Sequence, residues 1–74
     1  MKDSILRTIW EIWMKVKELI KMIEADGWQY MYSTGSHRHF KHPAKKGKVT
    51  IPGHPNEDLP PGTIGSVLKQ AGLR

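Results

Sequence analysis

The sequence contains no cysteine, which excludes disulfide bonds and thiolate-based metal sites. It has no apolar run near the roughly 20 residues that cross a bilayer, and its amino terminus lacks the pattern of a signal peptide. We therefore expect a soluble, cytoplasmic protein. With 74 residues, the chain has room for one modest core but not for a deep cavity, which predicts a functional site on the surface.

Acidic residues are missing from the part of the chain where basic residues concentrate. The formal charge is +5, and no Asp or Glu lies between Asp26 and Glu57. Much of the positive excess falls between Arg38 and Lys48. Such a local cluster indicates an anionic partner, and nucleic acid is the commonest one, although solubility alone also explains a basic surface.

The first third of the chain has the pattern of a helix. Between Ser4 and Ala25 there is no proline or glycine, and apolar residues recur at helical spacing until Gly27 supplies a stop. The pattern permits one helix of about 22 residues, or about 33 Å, which is longer than so small a core can cover.

We therefore divide the chain into a helical amino-terminal extension, residues 1–13, and a domain formed by residues 14–74. Two interpretations of the extension remain open. Either its exposed Leu6, Trp10 and Trp13 mediate self-association or contact a partner, or the extension is a non-native addition ahead of the domain.

The rest of the sequence predicts three strands and a second helix. A hairpin is expected over residues 28–42, with its turn at 33–36, followed by a third strand over residues 48–51. The last helix begins near Pro61 and ends at Gly72. The predicted fold class is α+β, in the order α-β-β-β-α, with a three-stranded antiparallel sheet and both helices on one face.

Strand alternation predicts which side chains share a face of that sheet. If Phe40 points into the core, then Arg38 and His42 share its side near the margin of the sheet. The open face is then expected to carry a cationic group with a titratable centre, formed by His37, His39, Lys41 and Lys48.

Two kinds of chemistry compete for these histidines. A metal site would use His37 and His39 with His54, but zinc sites usually need more ligands, and the cationic surroundings repel a divalent ion. We therefore predict no metal and no cofactor. Acid–base chemistry on RNA needs only a proton acceptor, a proton donor and stabilisation of phosphate charge, because RNA carries its own nucleophile in the 2′-hydroxyl.

Three short motifs occur together in this chain: GSH at 35–37, VTIPGH at 49–54 and LKQAGL at 68–73. With their order and spacing over residues 14–73, they closely resemble the HicA toxin family. The resemblance implies a double-stranded-RNA-binding-like fold and the activity of an mRNA interferase, which is a ribosome-independent endoribonuclease of a type II toxin–antitoxin system. It also implies a HicB-type antitoxin that covers the active site.

The resemblance further implies that His37 of the GSH motif is the catalytic residue. Ser36 and His39 are possible assisting residues, and His54 is expected to have a structural role in its loop. The candidate RNA-binding residues are the basic side chains that follow the motif, Arg38, Lys41, Lys45, Lys46 and Lys48. An alternative function is a non-catalytic RNA-binding module that uses the same face.

The sequence departs from the family pattern at two positions that are often basic, which are Tyr32 and Thr34 here. This change removes charge from the first strand and is expected to weaken RNA binding or to change its preference. Residues 1–13 have no counterpart in the pattern. Neither departure affects His37.

Overall fold

The structure is a computed structural model, and it describes residues 12–74. Seven elements follow one another along the chain. They are β1 (Met14–Lys15), α1 (Val16–Ala25), β2 (Gln29–Thr34), β3 (His37–Lys41), β4 (Val49–Ile51), β5 (Asp58–Leu59) and α2 (Pro61–Gln70).

The main sheet is antiparallel and has the strand order β2-β3-β4. Apolar side chains of the helices, of the strands and of the segments between them form one core: Val16, Leu19, Ile23, Trp28, Phe40, Val49, Ile51, Leu59, Ile64, Val67 and Ala71. Because both helices contribute to the cluster that contains the inward residues of β3 and β4, both helices cover the same face of the sheet. The predicted α+β fold, with its α-β-β-β-α core, is confirmed.

The single long helix permitted by the sequence pattern is wrong at residues 12–15. Met14 and Lys15 form an extended strand that pairs with β5 in a second, two-stranded sheet. The backbone N–H of Val16 donates to the carbonyl of Glu57 at 2.9 Å, so a distant loop satisfies an amide that a longer helix would have used internally. Leu6 and Trp10 lie outside the described residues, and Trp13, just before β1, is exposed.

The hairpin forms where the sequence predicts it, with a turn of only two residues. Gly35 has a φ of 60°, and the following Ser36 has no positive φ, which fits a type II′ turn with glycine in its first central position. The pairing is irregular between Tyr30 and Tyr32, where Met31 is the extra residue of a β-bulge. Because of this bulge, the two tyrosines face opposite sides of the sheet.

The carboxyl end of the second helix contacts Trp28, the residue that precedes β2. Trp28 is almost fully buried, and its indole N–H donates to the carbonyl of Ala71 at 3.3 Å. Ala71 is the C-cap, and Gly72 follows it with a φ of 71°, which confirms the predicted glycine stop. In the part of the chain that the structure describes, no helix is long and apolar enough to cross a membrane.

Candidate functional site

His37 is the first residue of β3, directly after the hairpin turn, and its side chain is exposed. It borders an open groove of about 380 Å³ between the edge of the sheet and α2. The other lining residues come from β4, from the residue that follows it, and from one side of α2: Thr50, Pro52, Gly62, Thr63, Ser66, Val67 and Gln70. Within residues 12–74, the imidazole ring of His37 makes no hydrogen bond, so both ring nitrogens are available to a ligand.

The groove has a polar floor at the edge of β4. The outer backbone N–H of Thr50 donates to the side-chain oxygen of Gln70 at 3.1 Å, which protects the edge strand from pairing with another chain. Thr63 and Ser66, which both carry a hydroxyl group, line the side formed by α2. The groove therefore offers polar groups beside His37.

His39 lies on the same open face but is held in place. Its Nδ1 is 3.0 Å from the hydroxyl oxygen of Thr50, and its Nε2 is 3.2 Å from that of Thr34. Burial lowers the pKa of His39, and the nearby charges of Lys48 and His37 lower it further. His39 is therefore neutral at pH 7, with one nitrogen donating to a threonine and the other accepting from one.

His42, the residue that follows β3, has a structural role. Its Nε2 donates to the carbonyl of Asp26 at 2.7 Å, and its Nδ1 accepts backbone N–H groups from Ala44 and Lys45, each at 3.0 Å. Its ring also meets Trp28 edge to face, with centroids 5.2 Å apart. Both ring nitrogens are occupied, so His42 connects the 43–47 loop to the end of α1.

The candidate RNA-binding residues fall into two groups. Lys41, Lys46 and Lys48 are exposed. Lys45 instead forms an ion pair with Asp26 and donates to the carbonyl of Ala71 at 3.0 Å. The basic side chains predicted as one RNA-binding set therefore fall into two groups: among the described residues, Lys45 has an acidic partner, whereas Lys41, Lys46 and Lys48 have none.

Arg38 is also engaged, because its guanidinium donates to the carbonyl of Gly53 at 2.8 Å. This contact connects β3 to the loop of the PGH motif. In the same loop, the exposed His54 has its Nε2 3.9 Å from a carboxylate oxygen of Glu57, and the backbone N–H of Glu57 donates to the carbonyl of His54. Among the described residues, no three potential metal-ligating side chains come together.

Two features of the site had little or no signal in the sequence. Tyr32 stacks on His39 with ring centroids 4.5 Å apart, and only the bulge at Met31 brings them onto one face. The α2 wall of the groove was also missed, because Thr63 and Ser66 are ordinary polar residues on the exposed side of an amphipathic helix.

The fold and the site define a small α+β protein that exposes a free histidine beside cationic side chains. Residues 16–73 match the family described as "HicA toxin of bacterial toxin-antitoxin". Because this match spans most of the chain, the protein belongs to the HicA toxin family. A search of curated proteins found no match. Membership of a toxin–antitoxin family implies that the protein has an antitoxin partner.

Proposed function

We propose that the protein is a metal-independent endoribonuclease that cuts mRNA, with His37 as the catalytic residue. One observation carries this proposal. Of the histidines at 37, 39, 42 and 54, all of which the structure describes, only His37 combines a ring without hydrogen bonds with a position in the groove beside α2. A ring that exchanges protons with a substrate needs at least one nitrogen that is not occupied by a hydrogen bond within the protein.

The reaction uses the nucleophile of the substrate. His37 accepts the proton of the ribose 2′-hydroxyl as that oxygen forms a bond to the adjacent phosphorus. The bond between phosphorus and the 5′-oxygen breaks, and the leaving oxygen takes a proton from the protonated His37 or from water. The products are a 2′,3′-cyclic phosphate and a 5′-hydroxyl. DNA is not cut, because it lacks the 2′-hydroxyl.

The neighbouring side chains have supporting roles. Lys41 and Lys48 place positive charge on the open face, where it stabilises the phosphate in the transition state. His39 is neutral, and its unprotonated nitrogen accepts a hydrogen bond from a threonine hydroxyl, so that hydroxyl must turn away before His39 can take a proton from the substrate. Ser36, which immediately precedes His37 in the turn, helps to position it.

A cleavage assay in EDTA tests this proposal. Purified protein and its His37→Ala variant are incubated with a defined mRNA, and both ends of the products are identified. We expect cleavage by the parent in EDTA, with 5′-hydroxyl ends, and none by the variant. A requirement for a divalent metal, products with 5′-phosphate ends, or cleavage of DNA would contradict the mechanism.

A non-catalytic RNA-binding module is the second candidate. It is favoured by the same freedom of His37, since no described side chain orients its ring as catalytic histidines are often oriented. The double-stranded-RNA-binding-like fold that the family resemblance implies reads RNA by shape and phosphate contacts, which need no histidine chemistry. In that case the parent binds RNA without cutting it, and His37→Ala binds equally well.

We also propose that the antitoxin, of the HicB type, covers the open face around His37. The exposed Lys41 and Lys48 would meet acidic groups of that partner, so the association rate should fall as salt increases. A rate that is equal at low and high ionic strength would contradict this proposal. Self-association through Leu6, Trp10 and Trp13 stays a prediction, and size measurements before and after deletion of residues 1–13 would test it.

A further inference from the structure

Tyr32 presents an aromatic ring on the open face, beside the proposed catalytic centre. It is 50% exposed although it stacks on His39, with ring centroids 4.5 Å apart and an angle of 27° between the planes. It belongs to β2, one of the two outer strands of the sheet. The ring face turned away from His39 is therefore open to solvent.

The ring is held in place by its neighbours. His39 lies beneath it and is itself held by hydroxyl groups of Thr34 and Thr50. The Nζ of Lys48 is 3.5 Å from the Tyr32 hydroxyl but 6.0 Å from the ring centre, so it lies beyond the hydroxyl end and leaves the ring face uncovered. Among residues 12–74, no other ring contact or hydrogen bond engages Tyr32.

These observations describe a flat aromatic surface that is fixed in advance, with positive charge at its rim. Unpaired nucleobases bind such surfaces by stacking, and the adjacent ammonium group of Lys48 can contact the phosphate of the same nucleotide. An acidic protein segment would be attracted by the charge but would make no use of an open aromatic face.

We infer that Tyr32 is a nucleobase-stacking site, which takes one unpaired base of an RNA strand on the ring face opposite His39. The inference rests on the proposed function for its occupant, and it adds a requirement for single-stranded RNA. Stacking tolerates any base, so the site holds the strand near His37 without reading its sequence.

The test measures the affinity of a short single-stranded RNA by fluorescence anisotropy, in a His37→Ala background that prevents cleavage. Tyr32→Leu should weaken binding about tenfold, whereas Tyr32→Phe should bind as the parent does. Tyr30→Leu is the matched control, because Tyr30 lies on the same strand with similar exposure, 52%, but faces the other side of the sheet.

A second readout separates stacking from a mere change of local structure. A series of RNAs is made, each with one abasic nucleotide at a different position. At one position the missing base should weaken binding to the protein with Tyr32 intact, but it should not weaken binding to Tyr32→Leu. The inference is overturned if Tyr32→Leu binds RNA as tightly as the parent, or if the abasic penalty is equal in both. It is also overturned if Tyr32→Leu loses only its affinity for an antitoxin.

This experiment is independent of the cleavage assay. If the parent cuts no RNA while Tyr32→Leu still loses affinity and the abasic penalty, the catalytic proposal fails and the stacking site stands. If the parent cuts RNA while Tyr32→Leu binds normally, only the stacking site fails.

Discussion

The two ends of β3 hold histidines in opposite situations. His37 lies at the start of the strand, on a groove, with no hydrogen bond to any of the described residues. His42 immediately follows the strand, and both of its ring nitrogens are bonded to backbone groups. The two residues are five positions apart in one stretch, so the surroundings of each ring, and not its sequence neighbours, determine whether it is available for chemistry.

The same contrast extends to the charges around each histidine. On the open face, Lys41 and Lys48 have no acidic partner among the described residues. At the other end, Lys45 is paired with Asp26. The open face is therefore suited to an external anion, whereas the charged side chains near His42 are paired with each other.

The largest effect on stability is expected from His42→Ala. The substitution removes the acceptor for two backbone N–H groups, the donor to the carbonyl of Asp26, and the edge contact with Trp28. We expect the free energy of unfolding to fall by about 2 kcal/mol. Urea denaturation measures this change, and an unchanged midpoint would contradict the structural role. Cleavage per folded molecule should stay at the parent level.

A matched pair of lysine variants sharpens the contrast between the two regions. Lys48→Gln should weaken RNA binding and reduce the slope of log affinity against log salt by about 0.7, with little effect on stability. Lys45→Gln should lower the free energy of unfolding and leave RNA binding almost unchanged, because it leaves Asp26 without its cation and the carbonyl of Ala71 without one of its donors. For both variants, salt titrations measure the RNA affinity and its salt dependence, and urea denaturation measures the free energy of unfolding. Equal loss of RNA affinity in both variants would remove the distinction.

A smaller effect on stability is expected from Asp26 at acidic pH. The hydrogen bond from Lys45 holds the pKa of Asp26 below its ordinary value of 3.8. The folded state therefore binds fewer protons than the unfolded state, so this contribution to stability is present above about pH 3.8 and is lost as the pH falls through the lowered pKa. Asp26→Asn should flatten the acid limb of a plot of urea midpoint against pH. An acid limb identical to the parent's would argue against the pairing.

The smallest effect on stability is expected from the protonation of His39. Because its pKa is lowered from 6.5, chiefly by burial, the folded state binds fewer protons than the unfolded state below about pH 6.5. Protonation of His39 therefore destabilises the fold as the pH falls from about 6.5 through the lowered pKa. Lys48→Met should raise the pKa of His39 only in part, since burial remains. Titration of the ring signals by NMR measures both values. A pKa at or above 6.5 in the parent would contradict the surroundings described for His39.

Much of the fold follows from sequence patterns that act locally. The hairpin and its turn at Gly35, the helix at Pro61 and the inward position of Phe40 are confirmed, because strand alternation, helix periodicity and turn chemistry determine them. The start of α1 was not predictable, since the apolar pattern continues upstream of Val16. A tertiary contact with the carbonyl of Glu57 sets that boundary.

For the candidate site, alternation placed His37 and His39 on the open face and His42 on the other side. Which of these rings form hydrogen bonds could not be predicted, because the partners are hydroxyl and carbonyl groups of other elements, such as those of Thr50 and Asp26. The stack of Tyr32 on His39 depends on a bulge, for which the sequence carries no clear signal.

The central claim is that the free histidine performs the chemistry. One panel tests it most directly: single-turnover RNA cleavage in EDTA, corrected for the folded fraction, by four variants that each replace one of His37, His39, His42 and His54 with glutamine. We predict that His37→Gln loses at least about a hundredfold in rate, and that His42→Gln and His54→Gln cut like the parent. Parent-level cleavage by His37→Gln would contradict the account.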